Sequence, residues 1–243
     1  IRTEEKVLTK NGKEIIVEWY GRAVFNSETD EYEHFLGAGL DITERKQVEE
    51  ELQLLQRITK AVSVASDFDS AIDVALHLVC ETTGWEFGEA WVPNPEQTYL
   101  EYSSVGYGNT ANATAFRQES HSLRFALNEG LPGRVWFSQK PEWIPDISRE
   151  AEIQFPRTSI ANQYEFRAGF GVPILANNQV LAVLIFLMSI PKNEDKRLVE
   201  LISSVATQLG AVFERKQAEA KYRNIFKNAV EGIFQMNLEG EYT

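Results

Sequence analysis

The chain has 243 residues, 43% hydrophobic and 25% charged, with a formal net charge of -12 and a sequence pI near 4.9. That composition supports one or two globular domains with a real core, while the acidic balance excludes the basic face that nucleic acid or an anionic membrane surface requires. Cys80 is the single cysteine and the longest apolar run is residues 180–188, which excludes an internal disulfide framework, falls short of the roughly 20 residues that cross a bilayer, and fits a cytoplasmic setting.

In chain order, residues 7–9, 14–24 and 32–42 read as antiparallel strands joined by Asn11-Gly12 and by a polar turn at 26–31. Asn-Gly between alternating apolar runs is a strong hairpin signal. Asp41 or Thr43 caps a helix reaching residue 66, in which Val48, Leu52, Leu55 and Val62 follow heptad spacing, with Thr59 in the gap. Leu54, Ile58 and Ala61 widen that stripe. A second helix over 69–82 precedes strands over 85–92, 99–105, 142–147, 169–175 and 180–188, the last two joined by Asn177-Asn178. Residues 132–138 and 153–164 read as short helices, and 106–122, mostly small and polar, as a mobile surface loop beside a pocket. A final long helix begins near residue 194 with Asn193 as its cap, and puts Leu198, Ile202, Val205, Leu209 and Val212 on a second heptad seam.

A charged segment occurs twice, as Glu44-Arg45-Lys46-Gln47-Val48-Glu49 and Glu214-Arg215-Lys216-Gln217-Ala218-Glu219, on either side of the globular middle. Such repetition marks an array of small units joined by helices. The first copy follows a strand-like stretch, and together they read Gly37-Ala38-Gly39-Leu40-Asp41-Ile42-Thr43-Glu44-Arg45-Lys46, which resembles the closing strand and exit helix of a PAS domain. Glu129-Gly130-Leu131-Pro132-Gly133-Arg134-Val135-Trp136, Trp143-Ile144-Pro145-Asp146-Ile147, Phe155-Pro156-Arg157 and Arg167-Ala168-Gly169-Phe170-Gly171-Val172-Pro173-Ile174 together resemble a GAF domain of bacterial multi-sensor histidine kinases. Phe226 and Gly232-Ile233-Phe234 resemble the start of a second PAS domain.

The resemblance implies an α+β fold, a GAF-like antiparallel sheet with a helical layer, flanked by long signalling helices and incomplete PAS segments. It divides the chain into PAS strands (1–42), a connecting helix (43–66), a GAF domain (67–212), a second connecting helix (213–221) and the start of another PAS domain (222–243). It further implies a sensory or regulatory signal-transduction module of a histidine kinase that relays a signal through dimeric helices, with neighbouring PAS and output domains as partners. A dimerisation spacer that binds no ligand, or the regulatory part of a nucleotide cyclase, are the alternatives. The phospho-acceptor pattern of a kinase needs Glu after His, but His34, His77 and His121 precede Phe35, Leu78 and Ser122, so no kinase centre lies in this segment.

No nucleophile, base and oxyanion-donor set can be assembled, so the segment itself reads as non-enzymatic, without catalytic or metal residues. A small-molecule ligand is accommodated best between Trp136, Trp143 and Phe170, with Arg134 or Arg167 to meet an anionic group. Covalent bilin is disfavoured because Cys80 lies beside Leu78 and Val79 on an apolar helix face and Ser120, not Cys, precedes His121. Haem would rest on His121 alone. Ser189-Ile190-Pro191-Lys192-Asn193-Glu194-Asp195 lacks the order expected of a cyclic-nucleotide site. No cofactor is identified, and a homodimer through the two seams is the expected assembly.

Overall fold

The computed structural model describes residues 2–108, 110–150 and 157–228. The Phe155-Pro156 pair, the first part of the expected helix at 153–164 and the Gly232-Ile233-Phe234 motif lie outside them. Two compact units are present, Ile1–Gln56 and Arg57–Thr243, and the division falls within one helix.

In the first unit β1 (Arg2–Leu8), β2 (Glu14–Phe25) and β3 (Tyr32–Asp41) form an antiparallel meander in that order, followed by α1 (Thr43–Val64). Asp41 terminates β3 and accepts from the Thr43 backbone N–H at 2.9 Å and from its hydroxyl at 2.6 Å. Glu18 is fully buried on β2. The Tyr20 hydroxyl donates to it at 2.5 Å, and Arg2 and Arg45 pair with it. The Tyr20 bond, with both arginines, holds this carboxyl below the usual range against the opposing effect of burial. Lys46 reaches Glu4 at 2.7 Å. The basic residues of the first charged repeat thus tie the start of α1 to the preceding sheet.

In the second unit six strands run in the order β6-β5-β4-β9-β8-β7, all antiparallel. They are β4 (Phe87–Pro93), β5 (Tyr99–Tyr107), β6 (Arg124–Ala126), β7 (Glu142–Ile144), β8 (Ala168–Ala176) and β9 (Gln179–Met188). Side chains alternate between faces along each strand. Gly88 of β4 lies against Cys80 and Leu76 of α2 (Phe68–Thr83), and its ladder partners Phe186 and then Phe170 share that face. α6 (Lys196–Asn228) also packs on β8.

The opposite face carries Phe87, Trp91, Val183, Ile185 and Leu187. It packs with buried residues of α3 (Ala111–Ser120), α4 (Gly130–Ser138) and α5 (Thr158–Gln163) in one hydrophobic cluster.

Three expectations are corrected. Residues 106–122 are not a loop: Thr110 caps α3 by accepting from Ala113 N–H at 3.1 Å, and Ala113, Phe116 and Ser120 are buried on one side. Alanine and serine hid that helical face from a reading based on large apolar residues. The cap of α6 is Asp195, which accepts from the N–H groups of Arg197 and Leu198 at 3.1 and 3.2 Å, rather than Asn193.

The third correction concerns the seams. Leu198, Ile202, Val205 and Leu209 are buried within this chain, as is Val62, while Val212 and Leu55 are half-buried and only Val48 and Leu52 are exposed. A stripe that packs a helix onto its own sheet has the same spacing as one that meets a partner. Gly210 shows how close that packing is, because a Cβ there would collide with the Leu175 carbonyl oxygen.

Two outcomes follow from this packing. Gly210→Val forces α6 away from β8 and lowers stability by about 1–3 kcal/mol, read as a lower denaturation midpoint; an unchanged midpoint contradicts the close approach. Asp67 caps α2, accepting from Ser70 N–H at 2.8 Å, and that bond, with the Ser70 and Ser66 hydroxyls, lowers its pKa to about 2. Because this lies below the unfolded value of about 3.9, its stabilisation is present above that value and is lost as pH falls through about 2. Asp67→Asn keeps a capping side chain but flattens that acid limb in urea titrations; identical limbs in both proteins would contradict the assignment.

Candidate ligand-binding site

The residues expected to line one pocket do not share a face. Trp136 on α4 belongs to the cluster under α3, α4 and α5. Trp143 on β7 pairs across the ladder with Phe170, the two rings 5.3 Å apart, and Phe170 lies on the α2 and α6 face with Trp85 and Phe186. Trp143 also donates its indole N–H to the Lys192 carbonyl at 2.8 Å. Alternation within a strand fixes which residues go together, but the helix bearing Trp136 could have covered either face.

The two arginines are engaged locally. Arg134 donates to Glu142 at 2.7 Å through both Nε and Nη2. Arg167 donates to the Asn162 side chain at 2.9 Å and to the Phe166 carbonyl at 3.1 Å.

The charged centre of the domain is elsewhere. Glu89 stands on β4 in phase with Phe87 and Trp91, so the pleat carries it into the aromatic core. Arg157, the residue before α5, donates to Glu89 Oε1 at 2.6 Å and to the Ser120 hydroxyl at 3.1 Å. Its side chain and that of Glu89 are 1% and 0% exposed. The Trp91 indole N–H donates to the same carboxylate oxygen at 2.8 Å. The guanidinium lies 4.9–5.5 Å from the ring centres of Phe116, Trp91 and Phe125, within the range of cation–π attraction. β4, α3, β6 and the start of α5 therefore meet on one ion pair.

Tyr102 of β5 and Arg117 of α3 border it. Burial first, and then the Glu89 charge, push the Tyr102 phenol well above its ordinary pKa, so it is a protonated donor. Arg117 lies 5.5 Å over the Phe87 ring. Sequence reading missed this group, and the available signal was a lone glutamate on the apolar phase of Phe87-Gly88-Glu89-Ala90-Trp91.

Arg157→Met leaves the Glu89 charge buried without its partner and costs about 3–5 kcal/mol. Combined with Glu89→Gln, the loss is smaller than the sum of the single losses in a denaturant double-mutant cycle; additive losses would contradict direct pairing.

Comparisons with known proteins bear on this arrangement. A family profile described as the GAF domain matches residues 65–214. Among curated relatives, Protein NLP3 of Arabidopsis thaliana is 30% identical over 79 residues, covering 30% of this chain and 10% of that protein. Protein NLP1 of the same plant is 27% identical over 128 residues, covering 50% and 13%. The chain spans about a tenth of the length of these relatives.

Among solved structures, the GAF domain of a phosphoenolpyruvate-protein phosphotransferase from Coxiella burnetii superposes with a TM-score of 0.58 at 17% identity, covering 71% of this chain and 98% of that one. A free methionine-R-sulfoxide reductase from Neisseria meningitidis, solved with its substrate, gives 0.57 at 15% identity, covering 70% and 91%. These likenesses establish the fold, and the profile match spans more than half of the sequence. The chain therefore belongs to the GAF domain family.

Proposed function

We propose that this chain is the sensory and regulatory part of a dimeric multi-domain histidine kinase, in which the GAF domain passes its state along α1 and α6. The observation that carries the reading is the tie between those two helices at the edge of the domain. Thr59 of α1 donates to Gln208 of α6 at 2.5 Å, and Lys216, inside the second charged repeat, donates to the Ala65 carbonyl just after α1. A shift of one helix therefore strains the other, which is what relaying a two-state change requires.

The PAS assignments of residues 1–42 and 222–243 and the kinase output belong to this proposal. The three-stranded meander ending in Asp41-Ile42-Thr43 and the paired charged segments support it. A cytoplasmic location belongs to it as well; among the described residues no helix is long and apolar enough to cross a membrane.

The spacer alternative calls for an interior filled by the domain's own side chains. Phe87, Trp91, Phe116 and Phe125 do fill much of it, but they surround Glu89 and Arg157, with Tyr102 and Arg117 alongside. A core that only had to hold helices apart would be as stable or more so with apolar groups in those places. This favours sensing.

Thiol-based reduction is not supported at that centre. Cys80, the single cysteine, is buried on the α2 side of the sheet, where burial pushes its thiol well above the usual range.

The dimer surface proposed is the exposed pair Val48 and Leu52 on α1, one helical turn apart. Val48→Glu with Leu52→Glu places charge in that surface without touching the GAF core, and sedimentation should show the assembly dissociating to monomers. A dimer of unchanged strength would contradict this face, and a wild-type monomer would contradict the relay.

A further inference from the structure

The sheet face beneath α3 and α5 contains hydrogen-bonding capacity that the described residues do not use. Glu89 Oε1 accepts from Trp91 and Arg157, but Oε2 is buried with no hydrogen-bond partner. The Tyr102 hydroxyl and the Nε and Nη2 atoms of Arg117 are buried without a partner in good hydrogen-bonding geometry too, although the two side chains lie near enough to interact with each other. Each such group costs free energy unless something meets it.

The four atoms belong to one neighbourhood. In the β4–β5 ladder Glu89 stands opposite Gly106 and Trp91 opposite Tyr102, so Glu89 and Tyr102 project from the same face. The register shifts between these pairs, with Ala90 set against residues 103–105, and such a bulge spreads the ladder and turns its side chains. A Cβ on Gly106 would come within 3.4 Å of Arg117 Nη2 and 3.6 Å of its Nε. The guanidinium edge therefore occupies the place a side chain at 106 would take, beside Glu89.

We infer that this group is a binding site for a small α-hydroxy acid, whose carboxylate lies on the Nε and Nη2 edge of Arg117 and the Tyr102 hydroxyl while its own hydroxyl donates to Glu89 Oε2. The assignment rests on the sensory reading above and names its ligand class. Nε and Nη2 form the edge of a guanidinium that grips a carboxylate with two parallel bonds. Tyr102, kept protonated by burial, adds a third donor.

Glu89, paired with Arg157 through Oε1, presents Oε2 as an acceptor, so a plain carboxylate would leave Oε2 unmet and a plain amine would leave Arg117 unmet. Charge decides between an α-hydroxy and an α-amino acid. Glu89 and Arg157 balance each other, leaving Arg117 as the surplus charge, which a monoanion neutralises and a zwitterion does not. The surrounding rings of Trp91, Phe116 and Phe125, buried in the same core, favour a small ligand.

The test is calorimetric titration and thermal melting of the whole chain with sodium lactate, sodium glycolate, sodium propionate and alanine. Lactate or glycolate should bind and raise the melting temperature, with propionate and alanine at least about tenfold weaker. Arg117→Gln should weaken lactate about a hundredfold, as expected for a lost charged bidentate contact. Should that variant not fold, Tyr102→Phe, which removes only a hydroxyl, should weaken lactate about tenfold and leave the ligand-free melt intact.

Absence of heat and of a melting shift with both hydroxy acids overturns the inference, leaving buried water as what meets these atoms. Propionate binding as tightly as lactate, or alanine binding more tightly than lactate, overturns it as well. The dimer is read separately by sedimentation without any acid, so failure of this ligand and failure of the relay are distinguishable.

Discussion

The folded GAF domain depends on pairing a carboxylate with a guanidinium inside an aromatic core. Neither Glu89 nor Arg157 could be buried alone, since removing an isolated charge from water costs far more than any single contact returns. Their bond sets where the start of α5 sits against β4. Through Ser120 it reaches the end of α3, and through the rings of Phe116 and Phe125 it draws in α3 and β6. Such a pair is a weak source of stability, because well-packed apolar groups do as well in its place. Its stronger effect is on arrangement: segments far apart in sequence must converge for both charges to be satisfied.

The two faces of the sheet thereby acquire different characters. On the α2 and α6 side the contacts are apolar and close, with Cys80 and Leu76 over Gly88 and with Gly210 pressed to the Leu175 carbonyl. On the α3, α4 and α5 side the apolar packing encloses charge and unmet hydrogen-bonding groups. The proposed recognition site and the tight apolar packing thus lie on opposite sides of one layer of strands. In the proposed relay, a molecule held on the polar face would alter the sheet without entering the helical face, and α6, packed on β8 and tied to α1, would carry that change out of the domain.

Much of this was legible in the sequence, for identifiable reasons. Alternation and turn residues located the long strands, since period-two burial and Asn-Gly or Asn-Asn turns are local properties. The face on which a helix lands is not local, which is why Trp136 was grouped with Trp143 and Phe170 although the sheet lies between them. The Leu198 to Leu209 spacing was equally ambiguous, because the period shows that a stripe is buried and not what buries it. α3 escaped notice because Ala113 and Ser120 carry little apolar signal. Glu89 was readable in principle, as a charge on the apolar phase of a strand, but its partner Arg157 is 68 residues away, and nothing local announces that pairing.

As proposed, the chain is a dimeric module whose polar core holds a small acid. A native mass spectrum of the purified chain in volatile buffer with lactate tests subunit count and bound mass together. The expected result is a dimer in which each subunit retains one lactate. A monomer at the bare polypeptide mass would contradict both the assembly and the site.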